Sequence, residues 1–142
     1  MELLGTYTNT LDSKKRVIFP AKFREDLGET FVITVNVDRC LSAYSLDEWE
    51  KYKKNLMSLP KTRVKDITRF ICGLAMKATP DSQGRVGLSK ELVEYADIES
   101  GVTFIGCGDR VEIWDERTAP VPSRYDEDKV NDIRDLMLEY GL

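Results

Sequence analysis

The hexapeptide DSKKRV at residues 12–17 returns as DSQGRV at residues 81–86, 69 positions later. One Asp-x-x-x-Arg carries little weight, because short motifs of common residues recur freely. Two in register inside 142 residues point to a duplicated unit. The match extends well beyond the hexapeptide, with residues 7–45 aligning on 76–115 and shifts of one or two residues in the loops. Asp12 and Arg16 fall on Asp81 and Arg85, Asp38-Arg39 falls on Asp109-Arg110, and Tyr44 falls on Trp114. A unit of about 40 residues with a few short strands and one short helix cannot bury enough apolar surface to stand alone. Two units must therefore share one core, and 42% hydrophobic content is enough to build it without staples or metal. The economical solution is mainly β with helices, an α+β chain. We expect a two-repeat, pseudo-two-fold, interleaved β-barrel in which each unit's strands pair with the other's and both Asp-x-x-x-Arg turns are placed symmetrically.

Both units read the same way along the chain. An extended segment, Leu4 to Thr10 or Leu74 to Thr79, reaches the Asp-containing turn, and Arg-Val-x-Phe or Arg-Val-x-Leu resumes an alternating strand. A short helix follows. Pro20 suits its first turn, Phe23 and Leu27 share a face and Gly28 suits the C-terminal cap; in the second unit Ser89 can cap Lys90 to Ala96. A hairpin closes each unit: FVITVNV and VTFIGC are strands, Asp38-Arg39 and Gly108-Asp109 are turns, and CLSAY and VEIW return. Between the units, Ser45 to Glu48 is a capping box for a helix running to Met57 with Trp49, Tyr52 and Leu56 on one side. Pro60 separates it from a second helix, Arg63 to Cys72, with Val64, Ile67, Phe70 and Ile71 as its apolar face. We expect this helix pair to pack on the barrel rather than to line an apolar ligand groove. Thr118 to Ser123 reads as a linker, and Asp126 to Tyr140 as an acidic helix with Val130, Ile133 and Met137 as its stripe.

The chain has no histidine, which removes the commonest general base, the serine and cysteine triads and most zinc sites. Catalysis would fall to carboxylates, Lys or Tyr, for example with Asp12 and Asp81 as acid and base, and neither a metal-ligand cluster nor a phosphate loop supports that reading. No enzyme activity and no cofactor are expected. Cys40, Cys72 and Cys107 are odd in number, widely spaced and set in apolar segments, so all three are expected as reduced core residues. No uncharged run, Ser100 to Gly108 included, exceeds nine residues, and the start MELLGTYTNT lacks a basic region followed by an apolar one. We expect no membrane partner and a cytoplasmic location. The net charge of −4 is concentrated at one end: residues 115–142 hold eight acids and four bases, leaving 17 of each in residues 1–114. Residues 14–24 carry Lys14, Lys15, Arg16, Lys22 and Arg24 with no acid between them, so a local positive surface coexists with an acidic total.

The combination of a duplicated Asp-x-x-x-Arg, a helical pair between copies, a first copy reading D-x-x-x-R-V-I-x-P-A-K-F-R from Asp12 to Arg24, and a second copy ending R-V-E-I-W at Trp114 resembles the MraZ family. That family comprises bacterial transcriptional regulators at the head of the division and cell wall gene cluster. The resemblance covers residues 1 to about 117 and divides the chain into a first AbrB-like repeat (1–52), a linking helix (53–73), a second AbrB-like repeat (74–117) and a proline-containing linker with an acidic C-terminal helix (118–142). It implies a double swapped-hairpin fold related to AbrB and SpoVT, assembly of copies into a ring, a nucleoid-associated location, and repression through double-stranded DNA carrying repeated promoter boxes. Its motif residues fall on Asp12, Arg16, Asp81 and Arg85. The chain departs from the family in three places. Lys15 stands where glycine is usual, and is strained if that position needs φ > 0. Val-Gly-Leu-Ser replaces an Ile-Pro type continuation in the second copy, and the tail after Glu116 matches no family pattern.

Chemistry supports that expectation. An arginine fork pairs bidentately with O6 and N7 of guanine, and a neighbouring carboxylate can hold it in position, so Asp12 with Arg16 and Asp81 with Arg85 are the expected readers. Lys14, Lys15, Lys22 and Arg24 suit phosphate contacts, which position without reading sequence. Arg63, Lys65 and Arg69, read as one side of the second linking helix, would add phosphate contacts or form a solvated face. Against this stand a simple surface turn with a solvent-exposed ion pair, and a protein-interaction scaffold acting through the hairpin surfaces and the acidic tail.

Overall fold

The computed structural model describes residues 2–142. In the first copy, strands β1 (Thr6–Thr10) and β2 (Arg16–Ile18) precede helix α1 (Ala21–Leu27), and the β-branched run becomes the hairpin of β3 (Phe31–Asn36) and β4 (Cys40–Ser45). Helices α2 (Leu46–Met57) and α3 (Lys61–Gly73) follow. The second copy repeats the series with β5 (Met76–Ala78), β6 (Arg85–Gly87), α4 (Lys90–Tyr95) and the hairpin of β7 (Gly101–Gly106) and β8 (Val111–Asp115), and helix α5 (Glu127–Glu139) comes last. The fold is α+β, built on antiparallel strands.

Six strands form one sheet in the order β1-β7-β8-β4-β3-β5, and β2 pairs with β6 in a separate ribbon. Interchanging the copies, β1 with β5, β2 with β6, β3 with β7 and β4 with β8, reverses that order and leaves it unchanged. The strand order is thus symmetric under exchange of the copies. Only the hairpins pair within a copy, while β1–β7, β3–β5, β4–β8 and β2–β6 all join one copy to the other. The hydrogen-bonded ladder does not close into the expected barrel, because it ends at β1 and β5. The Asp12 and Asp81 turns lead the chain out of the large sheet, and the three-residue strands beyond them find partners only in each other.

The core lies where the copies meet. Phe19, immediately after β2, packs on Phe31 of β3 with ring centroids 5.0 Å apart and on Phe104 of β7 at 4.9 Å, and all three rings are fully buried. Val17 and Val86, opposite each other in the ribbon, are buried on its inner face. Each such side chain contributes about 1.5–3 kcal/mol relative to an exposed one, and the Phe19–Phe104 packing and the Val17–Val86 pairing exist only between copies.

Local signals set the helix ends. The Ser45 hydroxyl accepts from the Glu48 amide at 3.2 Å, but the reciprocal half of the capping box is missing because the Glu48 carboxylate pairs with Lys51 at 3.1 Å. Ser89 caps α4 by accepting from the Leu92 amide at 3.2 Å, and Gly28 ends α1 with φ 91°. The helix pair packs on the sheet as expected: Trp49, Leu56 and Ile71 are buried, Tyr52 stacks on Tyr44 at 5.2 Å, and the Thr34 hydroxyl of β3 donates to the Ile71 carbonyl at 2.5 Å. Ile67, assigned to that apolar face, is 44% exposed.

Two expectations need correction. Cys40 is buried and Cys72 half-buried, but Cys107 is exposed, because it lies just past the last residue of β7 where the hairpin turns at the surface. Arg63 and Lys65, two residues apart on a helix of 3.6 residues per turn, project from nearly opposite sides of α3, so Arg63, Lys65 and Arg69 form no single row. The acidic helix forms, capped by the Asp126 carboxylate on the Lys129 amide at 2.8 Å, but buries none of its residues. Among the described residues no helix is long and apolar enough to cross a membrane.

Candidate nucleic-acid interface

The two Asp turns, which we call corners one and two, are superimposable in their bonding. In corner one Asp12 Oδ1 accepts from the amides of Lys14 at 2.8 Å and Arg16 at 2.9 Å, and Oδ2 accepts from Arg16 Nε at 2.8 Å. In corner two Asp81 Oδ1 accepts from the amides of Gln83 and Arg85, both at 2.9 Å, and Oδ2 accepts from Arg85 Nε at 2.7 Å. The backbone closes each loop: the Asp12 amide donates to the Arg16 carbonyl at 2.8 Å, and the Asp81 amide to the Arg85 carbonyl at 3.0 Å. A short carboxylate reaches amides two and four residues downstream here because one loop residue turns left-handed. Lys15 does so at φ 59° and Gly84 at φ 80°, so the strain expected at Lys15 is present.

One consequence is electrostatic. The carboxyls of Asp12 and Asp81 are held below the ordinary carboxylate value, chiefly by the backbone amide of Arg16 or Arg85 and further by the guanidinium of the same residue. The second consequence is geometric. Each arginine spends only Nε on its carboxylate, and among the described residues no hydrogen bond or ion pair engages the terminal nitrogens of Arg16 or Arg85. Those nitrogens form the two-pronged end of the fork.

The ribbon decides where the forks go. Arg16 pairs with Gly87, Val17 with Val86 and Ile18 with Arg85. Because side chains alternate along a strand, burial of both valines sends Arg16, Ile18, Arg85 and Gly87 to the outer face together. Arg16 and Arg85 are thus diagonal neighbours on one surface, a relation that puts residues roughly 7–8 Å apart, with Cβ atoms somewhat closer. The Asn9 side-chain amide donates to the Ile18 carbonyl at 2.6 Å and ties the ribbon to β1. Each copy also clamps the other's corner: the Leu88 amide donates to the Lys15 carbonyl at 2.8 Å, and the Phe19 amide to the Gly84 carbonyl at 3.0 Å.

The remaining expected residues divide. Lys14 and Lys15 are exposed on the loop of corner one, and Lys22 is exposed on α1. Arg24 is half-buried; its Nε donates to the Phe19 carbonyl at 3.0 Å, and its guanidinium lies against Gly84. Arg63, Lys65 and Arg69 are exposed on α3, with Arg69 paired to Asp66 at 3.3 Å. No ion pair among the described residues joins α5 to either corner. Gly87, Ile18, Leu88 and the contact of Arg24 with Gly84 escaped the sequence reading. The first difference was visible, since Ile18 and Gly87 occupy equivalent places in the two copies, but its meaning depends on the strand pairing. No group of three or more His, Cys, Asp or Glu among the described residues could hold a metal ion. The arrangement offers two preorganised cationic forks on one open face, suited to planar acceptors such as a base edge or a phosphate.

A family model described as "MraZ protein, putative antitoxin-like" matches residues 3–69 and 71–118. A "Transcriptional regulator MraZ" of Caldanaerobacter subterraneus subsp. tengcongensis is 50% identical over 114 residues, covering 79% of this chain and 80% of the relative. Proteins of the same name from Thermoanaerobacter sp. strain X514, at 48%, and Acetivibrio thermocellus, at 46%, are similar over the same shares of both chains.

Proposed function

The chain belongs to the MraZ family, and from that premise we propose that it is a sequence-specific DNA-binding transcriptional regulator, a repressor of its own division and cell wall operon. In this reading the forks of Arg16 and Arg85 meet guanine edges in repeated promoter boxes while Asp12 and Asp81 fix their orientation. Lys14, Lys15 and Lys22 contact phosphates. The observation that carries the reading is the shared face: two arginines 69 residues apart in sequence emerge side by side, each with its carboxylate on Nε and its terminal nitrogens unengaged among the described residues. The cross-copy strand pairing supports the double swapped-hairpin description with AbrB-like repeats at 1–52 and 74–117. Several copies assembled in a ring would present many such faces, so modest contacts at each box would add through effective concentration.

The test is fluorescence anisotropy with the DNA upstream of the chain's own gene over a series of salt concentrations. Binding weakens steeply with salt, and Arg16→Ala with Arg85→Ala abolishes it while the size of the assembly in light scattering is unchanged. Undiminished affinity in the double variant sinks the reading.

The scaffold alternative has one observation in its favour. Helix α5 leaves Val130, Leu136 and Met137 about half exposed and buries none of its residues. If the scaffold reading holds, deleting residues 118–142 removes regulation and leaves DNA affinity where it was.

A further inference from the structure

The two corners share a bonding pattern but not a support. A Cβ placed on Gly84 would lie 2.6 Å from Arg24 Cζ, 2.8 Å from Nη1 and 3.0 Å from Nε. Since the central carbon is the nearest of the three, the guanidinium lies face-on against the glycine, where any side chain would displace it. The same Arg24 donates Nε to the Phe19 carbonyl at 3.0 Å, and the Phe19 amide donates to the Gly84 carbonyl at 3.0 Å. Arg24, Phe19 and Gly84 therefore form a closed circuit between α1 of the first copy and the loop of the second. Arg24 and Asp81 also line one open cleft of about 640 Å³.

The repeat supplies an internal control. At the equivalent positions, 69 residues away, stand Val93 for Arg24, Leu88 for Phe19 and Lys15 for Gly84. The backbone half of the circuit is kept, with Leu88 donating to the Lys15 carbonyl at 2.8 Å, but Val93 has no guanidinium. Lys15 shows that this left-handed position accepts a side chain, at φ 59°. A side chain at residue 84 is therefore opposed twice, by the left-handed turn, as at Lys15, and by Arg24, which only this corner has.

We infer that Arg24 is a positioning residue for the second corner alone. It presses on the loop that carries Asp81 and Arg85 and holds the Arg85 fork in one pose. The first corner lacks this latch and carries two free lysines, Lys14 and Lys15, in its place. The corners are then unequal readers, with corner two contributing most of the base selectivity and corner one most of the phosphate attraction. This inference rests on the DNA-binding reading for its function, though not for its structural half.

Two measurements test it on the full chain. In urea unfolding, Gly84→Lys destabilises the protein, and adding Arg24→Val relieves the part due to the clash, leaving only the turn strain that Lys15 already bears, because the pair rebuilds corner one at corner two; Gly84→Ala, a smaller intrusion, is run in parallel in case the lysine variant does not fold. In anisotropy with the upstream DNA, Arg24→Val lowers affinity about tenfold in an Arg16→Ala background and has no effect in an Arg85→Ala background. Additive destabilisation by Gly84→Lys or Gly84→Ala with Arg24→Val overturns the latch, and equal losses of affinity in the two arginine backgrounds overturn its positioning role. If the unsubstituted protein does not bind the DNA, the regulator reading fails while the unfolding cycle still decides the latch.

Discussion

The amide of Phe19 donates to the carbonyl of Gly84 at 3.0 Å while the Phe19 ring is fully buried against Phe31 and Phe104. One residue thus joins the shared core to the loop of the opposite repeat. Phe19→Ala is expected to cost about 3–5 kcal/mol, the range for deleting a buried phenylalanine. The loss is read as a shift of the urea midpoint, and amide exchange at Gln83 and Gly84 should quicken together with it.

Acid should dismantle both corners and leave neutral behaviour flat. Folded Asp12 and Asp81 titrate below the value of 3.8 they would have when unconstrained, so their contribution to stability is fully present above that value and is lost as pH falls below it through the folded value. Asp115 behaves alike: its burial alone would raise its carboxyl, but hydrogen bonds from Arg117 and the Glu99 amide override that effect. With no histidine in the chain, DNA affinity at constant ionic strength should be level between about pH 6 and 8. A step in that window contradicts the assignment of binding to carboxylate-held arginines.

Lys15→Gly separates strain from charge. A non-glycine residue at φ 59° costs of order 1–3 kcal/mol, and glycine relieves this while losing roughly 0.5–1 kcal/mol to its greater freedom when unfolded. The variant should therefore be as stable as the parent or up to about 2 kcal/mol more stable in urea titration. Its DNA affinity should fall, and the slope of log affinity against log salt should flatten by about one unit if Lys15 meets a phosphate.

Gly106 has a different requirement, because backbone rather than a flexible side chain crowds it. A Cβ there would lie 2.5 Å from the Leu3 carbonyl oxygen and 2.8 Å from the Leu4 amide nitrogen. The segment cannot yield cheaply, since Leu3 is fully buried and bridges Gly108. Gly106→Ala should lose about 1–3 kcal/mol, the usual cost of overpacking, with loss of Leu3 burial detectable by proteolysis of the N-terminal segment.

Features governed by neighbours in sequence were legible without the fold. The Asp-x-x-x-Arg corners, the Ser45 and Ser89 caps, the glycine end of α1 and the hairpin turns all depend on hydrogen bonds spanning four residues or fewer, so residue type and spacing suffice to predict them. Duplication predicted the cross-copy core as well, because a unit of about 40 residues cannot bury enough apolar surface alone. Reading failed where the outcome depended on distant packing. Cys107 lies in an apolar run yet just past the end of a strand, Arg63 and Lys65 diverge around a helix, and the ladder ends at β1 and β5 instead of closing.

Residue type and spacing alone dictate two corners in which a carboxylate holds an arginine, since aspartate and arginine are close enough along the chain to make that geometry local; the attachment at Nε is read from the structure. Only the tertiary structure decided that the two forks share a face. That result depends on β2 pairing with β6 in a register that places Val17 against Val86, and on a buried core drawing both valines inward so that every second residue turns outward. A shift of one residue in that pairing would set Arg16 beside Val86 and Val17 beside Arg85, sending the two arginines to opposite faces, and nothing within either hexapeptide forbids it. The apolar area gathered by residues 69 positions apart does.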